Sequence, residues 1–150
     1  MAEITASLVK ELRNATNVSM MECKRALVES DGDMNKATEL LRERGMAVAA
    51  KKASRTANQG LVATASAEDG AISSLVEVNC ETDFVARNEN FITFTRTLAE
   101  KACETDADLG EEMKDVITAK VAEIGENIIV RRNTRYKLEG NGTIASYIHL

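Results

Sequence analysis

Proline and tryptophan are absent from this chain of 150 residues, and aromatic residues make up only 3% of it. The three cysteines, Cys23, Cys80 and Cys103, are odd in number and form no Cys-x-x-Cys pair. This pattern argues against a disulfide or zinc framework and is typical of a reducing cytoplasm. No apolar run approaches the roughly 20 residues that a membrane helix needs, and the first residues lack the basic start of a signal peptide. We therefore expect a cytoplasmic protein with no membrane contact.

Residue types that carry covalent chemistry are also scarce. The single histidine, His149, belongs to no recognisable Ser-His-acid set. No glycine-rich loop has the spacing that cradles a phosphate. We therefore predict no catalytic residues, no metal, no cofactor and no nucleotide bound directly by this chain.

The net charge of −5 disfavours nucleic acid as a partner, because phosphate binding depends on clustered cations. One basic strip is present, formed by Arg131, Arg132, Arg135 and Lys137. In an alternating strand Arg131 and Arg135 share a face and Arg132 points away. The local density of positive charge is then modest, and we predict no nucleic-acid site.

The first 45 residues have the apolar pattern of three short helices, with apolar residues at intervals of three and four. These residues are Ile4, Leu8 and Leu12, then Met20, Cys23, Ala26 and Leu27, then Met34, Ala37, Leu40 and Leu41. Thr5, Ser19 and Asp33 are the predicted N-caps, and Gly45 is the predicted end of the third helix. Helices of this length with short connections predict a small bundle.

Two neighbouring methionines open the second helix. Met20 and Met21 lie about 100° apart around the helix axis, so we expect one in the core and one at the surface. An exposed methionine is a flexible apolar contact for a partner. The alternative is that both side chains fill gaps in the bundle.

Residues 46–59 are rich in Ala, Lys and Ser, and we interpret them as a helical tail and linker. After Gly60 the pattern changes to a period of two. Strands are predicted at 61–64 and 72–78, joined by an Asp-Gly turn, then at 128–130, at Tyr136 and at 143–150. Helices are predicted at 91–102 and 113–124. This part is therefore predicted as a small antiparallel sheet with helices packed on one side, which makes the chain an α+β protein.

The segment between the second strand and the next helix has two interpretations. Asp83 is a predicted N-cap for the helical residues after it, and Phe84 is a candidate core residue. Strand-to-helix corners also present contact residues on a rigid scaffold, and an acid beside an aromatic side chain suits the cleft of a partner. The residues alone leave both interpretations open.

Two segments of the chain resemble signatures of the elongation factor Ts family. They are residues 12–27, LRNATNVSMMECKRAL, and residues 77–87, EVNCETDFVAR. Residues 124–128 with Arg131-Arg132, and residues 146–149, are similar to later segments of the same family. Position 17 is often Gly in the family and is Asn here, a residue that tolerates a left-handed backbone. Members of the family continue beyond this length, so the resemblance implies a fragment.

The resemblance implies a division of the chain into three parts. Residues 1–45 would form a three-helix domain like the ubiquitin-associated domain, and residues 46–59 would form the helical tail and linker. Residues 60–150 would form the N-terminal half of the core domain of the family.

The implied activity is guanine nucleotide exchange on elongation factor Tu. In the family, one segment intrudes near the Mg²⁺ site of the partner, and here it consists of Thr82, Asp83, Phe84 and Val85. Phe84 would be the apolar wedge, and Asp83 would supply a polar contact and negative charge. The residues that would dock on the partner are Arg13, Met20, Met21, Lys24 and His149.

A different class of protein competes with this interpretation. A passive adaptor with a ubiquitin-associated-like domain would bind a partner without changing the affinity of that partner for its ligand. The helical part fits both classes. The corner at residues 82–85 favours the exchange factor, because an adaptor has no need of it.

Overall fold

The computed structural model of the protein describes residues 3–149. The chain divides into two units. The helical unit comprises the residues up to Ala53 together with Thr118–Gly125, and the sheet unit comprises Ser54–Ile117 and the residues from Glu126 onward.

The helical unit begins with three helices, α1 (Ala6–Thr16), α2 (Met20–Glu29) and α3 (Met34–Lys52). The predicted caps Thr5, Ser19 and Asp33 each accept backbone N–H groups with their side chains. Such caps satisfy donors that have no partner inside the helix. Asn17 ends α1 with φ of 55°, as predicted for a residue that tolerates the left-handed region. The core residues are Val9, Leu12, Cys23, Ala26, Leu27, Ala37 and Leu41.

The predicted end of the third helix at Gly45 is wrong, because α3 continues to Lys52. Gly45 does not have the positive φ of a helix-ending glycine. The residues after it include Ala and Lys, which are good helix formers. Gly45 is buried, and a Cβ added there would lie 3.5 Å from the Cβ of Ala122. A side chain at this position would thus make only an ordinary van der Waals contact within the helical unit.

The sheet unit contains a three-stranded antiparallel sheet with the order β1-β2-β3. The strands are β1 (Gln59–Ser66), β2 (Ile72–Cys80) and β3 (Ile129–Lys137), and β3 joins the two strand pieces predicted at 128–130 and 136. Four helices follow β2, namely α4 (Asp83–Ala86), α5 (Glu89–Ala102), α6 (Leu109–Glu112) and α7 (Lys114–Ile124). The last of these runs from the sheet unit into the helical unit.

One face of the sheet packs against α5. Val76, Val78 and Cys80 alternate along β2 and are buried, as are Phe91 and Leu98 on α5. The opposite face leaves apolar side chains such as Val62 and Tyr136 exposed. The predicted α+β fold, with helices on one side of a small antiparallel sheet, is confirmed. The short helix α6 has no counterpart in the predicted elements.

The strand predicted at 143–150 is wrong for the part that the structure describes. Residues 143–149 form no strand, and Leu150 lies outside the described residues. A strand exists only through pairing, and β3 ends at Lys137, before this segment. The alternating side chains of this segment favour a strand, but without a partner to pair with they do not form one.

The basic strip is also arranged differently from the prediction. Arg132 lies opposite Glu77 while Val130 lies opposite Val78, so residue 131 is the extra residue of a β-bulge. Arg131 and Arg132 both donate to the same face of β2, to Asn79 at 2.9 Å and to Glu77 at 2.8 Å. Arg135 lies opposite Ser74 on the other face and pairs with Asp106. The bulge therefore separates Arg131 from Arg135, which the alternating pattern had placed together.

No helix within residues 3–149 is long and apolar enough to cross a bilayer. Across the same residues, no group of three or more His, Cys, Asp or Glu side chains is arranged to hold a metal ion.

Candidate functional site

The corner segment, residues 82–85, connects the end of β2 to the helices that cover the sheet. Thr82 is the N-cap of α4, and its Oγ1 accepts the N–H of Val85 at 3.3 Å. The prediction of Asp83 as the cap is wrong, because Asp83 is the first residue of α4. Its carboxylate lies 3.5 Å from Arg87 Nη2, a pair exposed to water. A negative charge in the first turn of a helix is favourable, so Asp83 fits this position without capping it.

Phe84 is the most exposed of the large apolar side chains in residues 3–149, with 83% of its surface accessible. The side chain that α4 buries is Ala86, while Val85 is half-buried. The interpretation of Phe84 as a core residue is therefore wrong, and the core phenylalanines are Phe91 and Phe94 on α5. A phenylalanine held in water is available for contact with another molecule.

The backbone before Phe84 is fixed by a carboxylate that lies far away in the sequence. Glu126 Oε2 accepts the N–H of Glu81 at 3.0 Å and the N–H of Thr82 at 3.1 Å. Glu126 Oε1 accepts the hydroxyl of Thr82 at 2.6 Å. Hydrogen bonds to an ionised acceptor are roughly twice as strong as neutral ones, so this carboxylate is a firm anchor for the corner.

A second carboxylate completes the anchor in the opposite direction. Glu81 Oε1 accepts the N–H of Asn127 at 2.7 Å, and Glu81 Oε2 lies 3.7 Å from Arg55 Nη1. The side chain of Asn127 donates to the carbonyl of Arg55 at 2.8 Å. We call these contacts between residues 81–82 and 126–127 the carboxylate clamp.

The same carboxylates affect the last residue of β2. The Cys80 thiol is fully buried and donates to the carbonyl of Thr82 at 3.2 Å. Burial, together with the negative charges of Glu126 and Glu81, raises the pKa of the Cys80 thiol to about 11. The thiol therefore stays protonated at neutral pH and serves as a structural group.

The predicted docking residues of the helical unit are all exposed: Arg13, Met20, Met21 and Lys24. The expectation that one methionine would be in the core is wrong, since Met20 is 44% and Met21 is 61% accessible. Val18, just before α2, packs against the core of the helical unit, and neither methionine does so. Met20 and Lys24 are four residues apart and share a face of α2.

His149 belongs to the sheet unit and is exposed. Its Nδ1 lies 2.9 Å from the hydroxyl of Tyr147, and the two rings are tilted with centroids 6.0 Å apart. The predicted site residues thus lie in three segments of the chain: the first two helices, the corner, and the residues around His149.

The clamp residues Glu81, Glu126 and Asn127 were not among the predicted site residues. Each of these hydrogen bonds joins residues that are 44–46 positions apart in the sequence, and no periodicity relates them. The sequence offers one local signal, Gly125-Glu126-Asn127 after a predicted helix. This pattern indicates a turn but does not indicate which residues its side chains bind.

Comparisons with known proteins agree with the resemblance of the two signatures. The family model described as Elongation factor TS matches residues 81–150. Elongation factor Ts of Clostridium acetobutylicum is 49% identical over 97% of this chain and 51% of its own length, and that of Clostridium tetani is 50% identical over 97% and 52%. Elongation factor Ts of Aromatoleum aromaticum is 50% identical over 99% of this chain and 53% of its own length.

The chain spans about half the length of the curated relatives that it matches. Within that span the similarity extends over both units of the structure. The chain is therefore similar to elongation factor Ts over nearly its whole length, and residues 81–150 match the model of that family.

Proposed function

We propose that this chain is part of a cytoplasmic translation elongation factor and promotes release of GDP from elongation factor Tu. The observation that carries the proposal is the exposed Phe84 on an anchored corner, within a region that matches the Elongation factor TS family. In this role the chain makes and breaks no covalent bond, so it is an exchange factor and not an enzyme. It neither binds nucleotide itself nor acts on nucleic acid or membranes.

The proposed mechanism is thermodynamic linkage. A protein that binds the nucleotide-free partner more tightly than the GDP-bound partner must lower the affinity for GDP by the same factor. Bound GDP is held largely through its phosphates, by backbone N–H groups, a lysine and Mg²⁺. A contact that disturbs the metal and phosphate region is therefore an efficient way to weaken GDP binding.

The corner has the features that such a contact requires. Phe84 is a rigid apolar group, and its transfer from water into an apolar site lowers the free energy. It is therefore suited to insert as a wedge between elements of the partner. Asp83 brings a negative charge beside it, and Thr82 and Val85 form the base from which the wedge projects. The proposed docking residues, which contact the partner elsewhere, are Arg13, Met20, Met21, Lys24 and His149.

The passive adaptor differs from the exchange factor in one measurable property. An adaptor binds the GDP-bound and the nucleotide-free partner equally, and a ligand with equal affinity for two states shifts nothing. The proposed function requires a preference for the nucleotide-free state, and we assign that preference to the corner.

Replacement of Phe84 by Ala tests the proposal. The chain should accelerate release of fluorescent GDP from elongation factor Tu, and Phe84→Ala should reduce this rate at least about tenfold, equivalent to about 1.4 kcal/mol. Because Phe84 is exposed, the free energy of unfolding should change by less than about 0.5 kcal/mol. Stopped-flow fluorescence and a thermal melt provide the two measurements.

Tyr136→Ala is the matched control, since it also truncates an exposed aromatic side chain of the sheet unit. It should leave GDP release unchanged. The proposal is wrong if the parent chain fails to accelerate release, or if Phe84→Ala melts normally and retains the parental rate.

A further inference from the structure

Phe84 has little of its own to hold it in place. It lies on α4, a helix of four residues, and most of its side chain is in water. Isolated helices shorter than about 12 residues are marginal, because the first turn fixes several dihedral angles for one hydrogen bond. The orientation of Phe84 must therefore depend on contacts made by its neighbours.

The carboxylate clamp supplies these contacts at the start of α4. The Thr82 hydroxyl donates to Glu126 at 2.6 Å and, through the same oxygen, accepts the N–H of Val85 at 3.3 Å. Glu126 thus binds the side chain that caps the helix carrying Phe84. Its other oxygen binds two consecutive backbone N–H groups, those of Glu81 and Thr82. Together these bonds restrain both the backbone and the cap.

The clamp is reciprocal, which limits rotation about either contact. The side chain of residue 126 binds backbone groups of residues 81 and 82, and the side chain of residue 81 binds the backbone of residue 127. Two contacts in opposite directions fix both the distance and the relative orientation of the segments. The segments are joined by more than 40 residues of chain, so the local sequence cannot supply this restraint.

We infer that Glu126 is a positioning residue for exchange, which holds the corner so that Phe84 is presented in its contact geometry before the partner arrives. This inference rests on the proposed function. A group that is already ordered loses less conformational entropy on binding, and the difference appears as stronger binding in the state where the group makes its contact. Glu126 need not touch elongation factor Tu for this effect.

A clamp that only stabilised the fold would have a different effect. Removing such a clamp would lower the fraction of folded chain. The resulting loss of exchange activity would be the same whether or not Phe84 is present. A positioning residue acts through Phe84, so its effect should disappear when the phenyl ring is removed. Double-variant comparison separates these cases.

The test uses Glu126→Gln, which keeps the shape of the side chain but replaces one accepting oxygen by an NH₂ group that cannot accept. GDP release from elongation factor Tu should slow about tenfold with this variant. In the Phe84→Ala background, Glu126→Gln should cause no further change. Glu100→Gln, which removes the same charge from an exposed position on α5, should leave release unchanged in both backgrounds.

Amide hydrogen exchange of the free chain gives a readout that does not involve the partner. Protection of the N–H groups of residues 81, 82 and 85 should fall about tenfold in Glu126→Gln, while that of Leu98 in α5 should stay unchanged. Should Glu126→Gln fail to fold, Thr82→Val removes the hydroxyl bond and should reproduce the same dependence on Phe84.

The outcomes separate this inference from the proposed function. Parental GDP release by Phe84→Ala would refute the role of the corner itself. Slow release by Phe84→Ala, combined with unchanged protection in Glu126→Gln, would refute positioning by Glu126 and leave the proposed function intact. Equal slowing by Glu126→Gln in both backgrounds would likewise assign the clamp to stability alone.

Discussion

Cys80 is a buried thiol at the end of β2, and its surroundings favour the protonated form. Burial of the thiol is the largest cause of its raised pKa, and the negative charges of Glu126 and Glu81 act in the same direction, while the hydrogen bond with Thr82 partly opposes them. Its pKa of about 11 lies above the ordinary cysteine value of about 8.5. Cys80 therefore contributes a donor and apolar volume to the same corner that presents Phe84.

The raised pKa of Cys80 predicts how stability changes with pH. Above about pH 8.5 the unfolded chain loses the thiol proton, while the folded chain keeps it until about pH 11. The unfolded state then binds fewer protons, so the free energy of unfolding should fall as pH rises through this window. Cys80→Ser keeps a donor for the Thr82 carbonyl and does not titrate, so it should lose less stability across the window.

Urea unfolding of both proteins between pH 8 and pH 11 measures this difference. Lysines and tyrosines titrate in both proteins alike, so their contribution cancels in the comparison. An identical loss of stability in the parent chain and in Cys80→Ser would show that the thiol ionises equally in the folded and unfolded states.

Among the strands, the pairing of β1 with β2 depends on one glycine. Gly60 has φ of +146°, and a Cβ added there would lie 2.1 Å from the carbonyl oxygen of Val78 and 2.8 Å from the Cα of Asn79. Both neighbours are backbone atoms of β2, which cannot move without breaking the ladder. Only glycine permits this close approach of two strands.

Gly60→Ala should therefore be strongly destabilising. We expect a loss of about 3 kcal/mol, at the upper end of ordinary point mutations, because the backbone strain and the clash act together. Gly70→Ala is the matched control, since Gly70 also has a positive φ of +69° but has no atom within 4 Å of the added Cβ. It should cost only about 1–2 kcal/mol of backbone strain. Equal losses in the two variants, measured by urea unfolding, would contradict the role of the close approach.

The elements that the sequence predicted well are those with local signals. Thr5, Ser19 and Asp33 cap their helices through hydrogen bonds within three residues, and the apolar spacing of α5 identifies its buried face. Local patterns of this kind require no knowledge of distant parts of the chain.

The predictions that failed depend on distant or missing partners. Residues 143–149 form no strand because none pairs with them. The exposure of Phe84 could not be predicted for the same reason. Whether this side chain is buried or exposed depends on its surroundings in the fold, and the clamp at this corner joins residues more than 40 positions apart in the sequence.

For the chain as a whole, the two units carry different parts of the proposed function. The helical unit exposes Met20 and Met21, and the sheet unit exposes Phe84. A contact made equally with both nucleotide states of the partner changes affinity only, whereas a contact made better with the nucleotide-free state changes the rate of GDP release. We assign the methionines to the first kind and Phe84 to the second.

Met21→Asp should therefore weaken binding without changing the maximal rate. The substitution places a charge where an apolar contact is proposed, and the chain concentration that gives half-maximal GDP release should rise about tenfold, or about 1.4 kcal/mol. Because Met21 is 61% accessible, the fold should lose less than about 0.5 kcal/mol. Titration of elongation factor Tu with the variant, monitored by fluorescent GDP, measures both quantities.

Met46→Asp is the matched control, because it makes the same substitution at another exposed methionine of the helical unit, 48% accessible on α3. It should leave both the half-maximal concentration and the maximal rate unchanged, so that a general effect of added negative charge is excluded. A lower maximal rate with Met21→Asp at saturating chain would show that the helical unit also discriminates between the nucleotide states. The division of roles between the two units would then be wrong, even if both surfaces contact the partner.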